Sequence, residues 1–163
     1  MTKESITQDY VKQLFEYRDG ELYRKTSISN SYAGNKIGGL NMQGYLRAKI
    51  NDKTYSLHRL IFLMHHGYLP KLIDHIDGNK LNNKIENLRG ATNVENLFNR
   101  KAQKNSKSGV KNVCWSKKRN KWVVQLHIDN KCKCFGSFDD LELAELVAQE
   151  ARNKYHGSFA NHG

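Results

Sequence analysis

The stretch that most constrains this chain begins at its single proline, Pro70, and runs "KLIDHIDGNKLNNKIENLRGATNVENLFNRK". Leu72–His75 is short and strand-like. From Asp77 to Asn83 the chain uses only Asp, Gly, Asn, Lys and one Leu, which is loop chemistry. A second strand-like piece spans Glu86–Ala91. Thr92 then stands three residues before Glu95, the spacing of a capping box, and this predicts a helix from about Asn93 to about Gln103. The unit therefore reads strand, loop, strand, helix.

Polar residues sit at the joints of this unit. Asp74 and His75 end the first strand, and neighbours in a strand point to opposite sides, so the two side chains can serve different tasks. On the helix Val94, Leu97 and Phe98 share one face, while Asn96, Asn99, Arg100 and Gln103 lie on the other. On spacing alone, Asp74 and His75 fit better a structural pair at a loop edge, bonded to backbone groups.

The run Asp74-His75, Gly78-Asn79, Asn82-Asn83, Asn87-Leu88-Arg89 and Glu95-Asn96 closely resembles the core of the HNH endonuclease family, in the subgroup found in phage and mobile-intron homing endonucleases. The preceding "GYLRAKINDKTYSLHRLIFLMHHGYLP" and the earlier "YVKQLFEYRDGELYRK" resemble the lead-in of that subgroup. The resemblance implies a ββα-metal fold and hydrolysis of DNA to a 5′-phosphate and a 3′-hydroxyl. It implies that His75 is the general base, that Asp74 and Asn96 ligate one divalent cation, Mg²⁺ or Mn²⁺, and that Asn87 holds the hairpin loop by backbone hydrogen bonds. The third letter of the motif is Asn96, a variant of the usual His. Such chemistry needs a base for water and a cation for the phosphate charge and leaving oxygen. Arg100, one turn beyond Asn96, is a candidate phosphate contact.

Upstream, residues 6–17 have the apolar spacing of a helix, and Asp19-Gly20 is a turn signal. Strand-like pieces follow at Glu21–Lys25, Lys36–Leu40, Tyr45–Ile50 and Lys53–Leu57, with Asn51-Asp52 as a tight hairpin turn and a helix over residues 57–66. His58 reads as a packing or capping residue, and His65, His66, His156 and His162 need no chemistry.

From Ser108 the pattern is three strands and a helix. Val110–Trp115 and a polar turn lead to Lys121–Ile128, which alternates with Trp122, Val124, Leu126 and Ile128 on one face. Lys131–Phe135 follows an Asp129-Asn130 turn. Asp139 is the expected cap of a helix whose buried stripe is Leu141, Ala144, Val147, Ala148, Ala151 and Tyr155, with Gly157 at its end. Gly109-Val110, Trp115, Lys121-Trp122, Gly136 with Phe138, the alanine-rich helix and Gly157 with Asn161 resemble the plant ethylene-response-factor DNA-binding domain. That resemblance implies a DNA-facing sheet surface at Lys111, Val113, Trp115, Lys121, Val123, Gln125 and His127, with Lys117, Lys118 and Arg119 in a lengthened turn. The plant pattern is richer in arginine at these positions.

Charge agrees with a nucleic-acid partner: 27 Lys and Arg stand against 16 Asp and Glu, a formal net charge of +11. No stretch is apolar enough for a bilayer span, and the first residues lack a signal core, so a cytoplasmic protein is expected. Cys114, Cys132 and Cys134, with His127, lack the paired spacing of a zinc knuckle, so no structural zinc is expected. The expected architecture is α+β: a nuclease module over residues 1–104, and over 105–163 a three-stranded antiparallel sheet packed on one helix. The expected activity is that of a metal-dependent homing endonuclease on double-stranded DNA, as monomer or dimer. The alternatives are a DNA-binding regulator with a decayed nuclease module and a restriction-type nuclease.

Overall fold

The first helix, α1 (Gln8–Leu14), starts where Thr7 accepts a hydrogen bond from the Tyr10 N–H at 3.3 Å. It ends earlier than the expected residue 17. From Phe15 the chain is extended, as β1 (Phe15–Arg18), because Phe15 and Tyr17 alternate inward with Glu16 and Arg18 outward. The Asp19-Gly20 turn, with both φ positive at 46° and 88°, returns it as β2 (Glu21–Arg24). A computed structural model describes residues 6–28, 31–102, 106–129 and 131–162. The chain divides into two compact units, Met1–Thr92 and Asn93–Gly163.

In the first unit β1 and β2 form an antiparallel sheet with β3 (Lys36–Ile37). A second sheet joins β4 (Gly39–Leu40), β5 (Leu46–Ile50) and β6 (Lys53–Ser56), where Asn51 and Asp52, at φ 46° and 60°, make the hairpin turn that their sequence signals. The next helix, α2 (Leu57–His66), buries seven residues from Leu57 to Met64 and stops at left-handed Gly67, whose N–H reaches the Leu63 carbonyl at 2.9 Å. Val11, Phe15, Leu22, Ile50 and the α2 side chains share one core with Leu88. Leu88 belongs to β8 (Leu88–Ala91), which pairs antiparallel with β7 (Leu72–His75). A 3-10 turn, Ile85–Asn87, takes the first two residues, Glu86 and Asn87, of the strand expected from Glu86.

The second unit opens with α3 (Asn93–Phe98), shorter than the expected helix to Gln103, a residue that, like Lys104, lies outside the described ones. Its three-stranded antiparallel sheet runs β11–β10–β9, with β9 (Val113–Ser116), β10 (Lys121–Ile128) and β11 (Lys131–Phe138). Asn130 of the expected turn before β11 lies outside the described residues. Against this sheet packs α4 (Leu141–His156), through Ala144, Ala148 and Ala151, each 5% exposed or less. The side chain that caps α4 is Asp140, not Asp139: it accepts from Leu143 N at 3.0 Å, while Asp139 pairs with Lys121 at 2.9 Å. The architecture is α+β, several small antiparallel sheets each braced by helix. Among the described residues, no helix is long and apolar enough to cross a membrane.

The sheet register corrects the expected DNA face. Val113 lies opposite Val124 and Trp115 opposite Trp122, so both share the face expected to turn toward α4, and Val113 is in the core there. The two tryptophan rings meet edge-on at 4.9 Å. Val123, expected outward, is buried at 3% exposure. A bulge between Val124 and Gln125 breaks the simple alternation.

Candidate active site

Asp74 and His75 stand at the end of β7, opposite Arg89 and Leu88 of β8. Both are 6% exposed, so each needs polar partners. Arg89 supplies one: its Nε and Nη2 donate to Asp74 Oδ2 at 2.9 and 2.8 Å. The guanidinium holds one carboxylate oxygen and balances its charge. For His75 the partner is Asn83, 2% exposed, whose Oδ1 lies 2.9 Å from Nε2. With that oxygen accepting, Nε2 carries a ring proton.

The loop that carries Asn83 is held from inside by a polar network. Asp77 Oδ1 accepts from Asn79 N at 2.8 Å and from Asn87 Nδ2 at 2.9 Å, and its Oδ2 accepts from Asn82 Nδ2 at 2.7 Å. Burial opposes ionisation of Asp77, but these donors outweigh it and hold its carboxyl below the usual value. Asn87 also accepts from Asp77 N at 3.0 Å and donates to the Asn82 carbonyl at 2.8 Å. Its amide thus ties both ends of the loop. From outside, the first hairpin braces the same loop. A Cβ at Gly20 would come within 2.9 Å of Lys84 N, Asp19 pairs with Lys84 at 2.8 Å, and Tyr17 Oη accepts from Ile85 N at 3.1 Å.

Three rings meet at the base. The His58 ring is 5.2 Å from that of His75, edge to face, and 5.2 Å from Tyr45, which also lies 6.2 Å from His75. Lys80 sits over the Tyr45 ring at 4.7 Å. Burial pushes the His58 pKa down to about 4, with His75, Arg59 and Arg47 adding to the effect. His58 is therefore a neutral wall of the site near pH 7. Its packing role is legible in the sequence, but its ring partner is not. Asn83 and Arg89 lie inside the matched motif without a role readable from spacing, since nothing local shows which atom each one meets.

Asn96 is half-buried on α3 and belongs to the second unit, whereas Asp74 and His75 belong to the first. Because α3 ends at Phe98, Arg100 is an exposed residue beyond the helix and has no helical face to share with Asn96. Among the described residues no group of three or more His, Cys, Asp or Glu could hold a metal ion. Carboxylate and amide oxygens are hard donors, the kind preferred by a cation such as Mg²⁺ that retains several waters.

The other basic residues divide. Lys117 and Lys118 are exposed in the turn between β9 and β10, as is Arg119, which donates to Ser137 Oγ at 2.9 Å. Gln125 and His127 are exposed on β10, and Lys121 is half-buried beside Asp139. Lys111 departs from its expected place on the DNA face: its ammonium donates to the Phe98 carbonyl, and burial, aided by Arg152, lowers its pKa to about 8.

The HNH endonuclease family model matches residues 55–98, from the Tyr55 strand through α2 and the β7–β8 pair to the end of α3. Over 96 residues the chain is 42% identical to Protein 3.8 of Escherichia phage T7, a match covering 58% of this chain and 78% of that protein. It is 42% identical over 62 residues to YosQ of Bacillus subtilis (strain 168), an SPbeta prophage-derived candidate HNH homing endonuclease. It is 47% identical over 60 residues to the uncharacterized HNH endonuclease L560 of Acanthamoeba polyphaga mimivirus. These two matches take in 37% and 35% of this chain and only 36% and 32% of the relatives. No solved structure matches. A chain that shares this much with a phage protein, and that fits the endonuclease model through the very strands presenting Asp74 and His75, belongs to the HNH endonuclease family.

Proposed function

We propose that the protein is a metal-dependent DNA endonuclease of the homing type, which hydrolyses phosphodiester bonds to a 5′-phosphate and a 3′-hydroxyl at a long target site. The observation that carries this reading is the buried His75, held through Nε2 by Asn83, beside a carboxylate held by Arg89. A base needs one fixed tautomer and one basic nitrogen directed at water, and the Asn83 bond provides the first. His75 takes the proton of the attacking water. Asp74 and Asn96 would hold one divalent cation, Mg²⁺ or Mn²⁺, which when bound neutralises charge on the phosphate and the leaving oxygen. Asn87 keeps the loop closed so that Asn83 stays under the imidazole.

The exposed Lys117, Lys118, Arg119, Gln125 and His127, with Lys121 and Arg100, are proposed DNA contacts. The C-terminal sheet and helix would thus act as a DNA-binding domain of the ethylene-response-factor type, and residues 1–104 as the nuclease. Resemblance to the YosQ stretch supports the homing assignment. The test is incubation of supercoiled phage-genome DNA with wild type and His75→Ala, with Mg²⁺ and with chelator. Wild type with Mg²⁺ should give nicked or linear product. His75→Ala, or chelator, should leave the DNA supercoiled. Product in the presence of chelator would overturn the metal assignment, and full activity of His75→Ala would overturn the base.

A further inference from the structure

Three separate segments of the second unit converge on Phe98, the last residue of α3, and on Asn99 just beyond it. The Lys111 ammonium donates to the Phe98 carbonyl. The His156 ring, at the end of α4, stacks on the Phe98 ring, with centroids 3.8 Å apart and planes 8° from parallel. From the C-terminal tail, Asn161 Nδ2 donates to the Asn99 carbonyl at 2.7 Å and to Asn99 Oδ1 at 3.2 Å. Asn99 is accordingly buried, at 7% exposure. Val94 and Leu97, which share the apolar face of the helix with Phe98, are 53% and 49% exposed. The C-terminal end of the helix is thus held by Lys111, His156 and Asn161.

A helix of this length cannot hold itself. A nucleus of one or two turns is unfavourable in water, and the last carbonyls of any helix need outside donors. Lys111 and Asn161 supply donors there, and a cation at a helix C-terminus also complements its dipole. The anchor is itself anchored. Arg152, fully buried in α4, donates through Nη1 to the Lys111 carbonyl at 2.5 Å and through Nε to His162 Nδ1 at 3.4 Å. Asn99, whose N–H bonds the Glu95 carbonyl at 3.2 Å, follows Asn96 by less than one helical turn, so a tilt or fraying at Asn99 falls in the turn that carries Asn96.

We propose that the C-terminal tail is a positioning element of the catalytic centre: Asn161, acting through Asn99, fixes α3 and with it the Asn96 amide oxygen. The proposal rests on the reading of Asn96 as a metal ligand.

The test uses the full chain as wild type, Asn161→Ala, Asn99→Ala and Asn96→Ala, each bound to DNA. Mn²⁺ binding is read from the free-ion electron paramagnetic resonance signal, the Mg²⁺ dependence from cleavage, and the order of residues 93–99 from amide hydrogen exchange. For Asn161→Ala we expect faster exchange across 93–99. Half-saturating Mg²⁺ should rise on the order of 10-fold, the low end of the effect of removing a support behind a metal ligand, with matching weakening of Mn²⁺ binding. The rate at saturating Mg²⁺ should return close to that of wild type. Asn99→Ala, which keeps the carbonyl bond, should move the same readings less, and it carries the test if Asn161→Ala does not fold. Faster exchange with unchanged metal dependence overturns the proposal, because the tail is then merely structural. Wild-type Mn²⁺ binding by Asn96→Ala overturns the ligand reading itself, and the exchange data separate that failure from the first.

Discussion

Asp74 and His75 are sequence neighbours with opposite surroundings, one facing a guanidinium and the other an amide. Removing either partner should therefore produce a different loss. In Asn83→Ala the buried imidazole loses its acceptor and its fixed tautomer. We expect the cleavage rate at saturating Mg²⁺ to fall roughly 10- to 100-fold, the range for supports behind functional groups, with little change in DNA affinity. A single-turnover assay paired with filter binding checks both, and a wild-type rate would remove Asn83 from the mechanism. Arg89→Ala instead strips the counter-charge from a carboxylate that is 6% exposed, a loss of about 3 kcal/mol in chelator. Because a cation can replace the guanidinium as counter-charge, saturating Mg²⁺ should recover part of that stability in urea melts. A deficit that ignores Mg²⁺ would mean that the cation does not bind at Asp74.

At the scale of elements, α2 carries His58 into the interior as a neutral ring, with its pKa near 4 against an ordinary value of 6.5. The unfolded chain thus takes up this proton first as the pH falls. The contribution is fully present above about pH 6.5 and is lost as the pH drops toward 4, amounting to about 2 kcal/mol between pH 7 and 4.5. Urea melts at those two pH values should show a smaller acid loss for His58→Gln, which has no titrating ring, than for wild type. Equal losses would show that His58 does not titrate this way. The elements also mark how far sequence reaches. The Asp19-Gly20 and Asn51-Asp52 turns, α2 and the β7 strand follow from local chemistry and are found where it puts them. The misplaced ends have non-local causes. Phe15 and Tyr17 fit a helical spacing, yet pairing with Arg24 and Leu22 makes them a strand. The end of α3 meets Asn161, which lies 62 residues away and donates to the Asn99 carbonyl. Val113 and Trp115 take their face from a register that only pairing with β10 defines. The candidate site divides likewise: Asp74 and His75 are legible as motif letters, but Asn83, Arg89 and His58 acquire meaning only through the atoms they meet.

Over the whole molecule the positive charge is shared and not concentrated. Residues 1–92 hold 14 Lys and Arg against 9 Asp and Glu, and residues 93–163 hold 13 against 7. A phosphate backbone can therefore be engaged from both units, and affinity should depend steeply on salt. If about six phosphates are neutralised, the logarithmic slope is about −5, which weakens binding on the order of 10³-fold between 50 and 200 mM salt. The exposed turn of Lys117, Lys118 and Arg119 lets the share of the second unit be measured, because none of the three is in an ion pair among the described residues. Replacing all three by Ala should flatten the slope by about 2 to 3, close to one for each phosphate no longer neutralised, and weaken target and non-target DNA alike, since phosphate contacts carry no sequence information. Fluorescence anisotropy across a salt series, on both kinds of DNA, gives the two slopes. An unchanged slope would place the DNA elsewhere. A loss confined to the target sequence would make this turn a reader of bases, which three flexible cations beyond the end of a strand are poorly built to be.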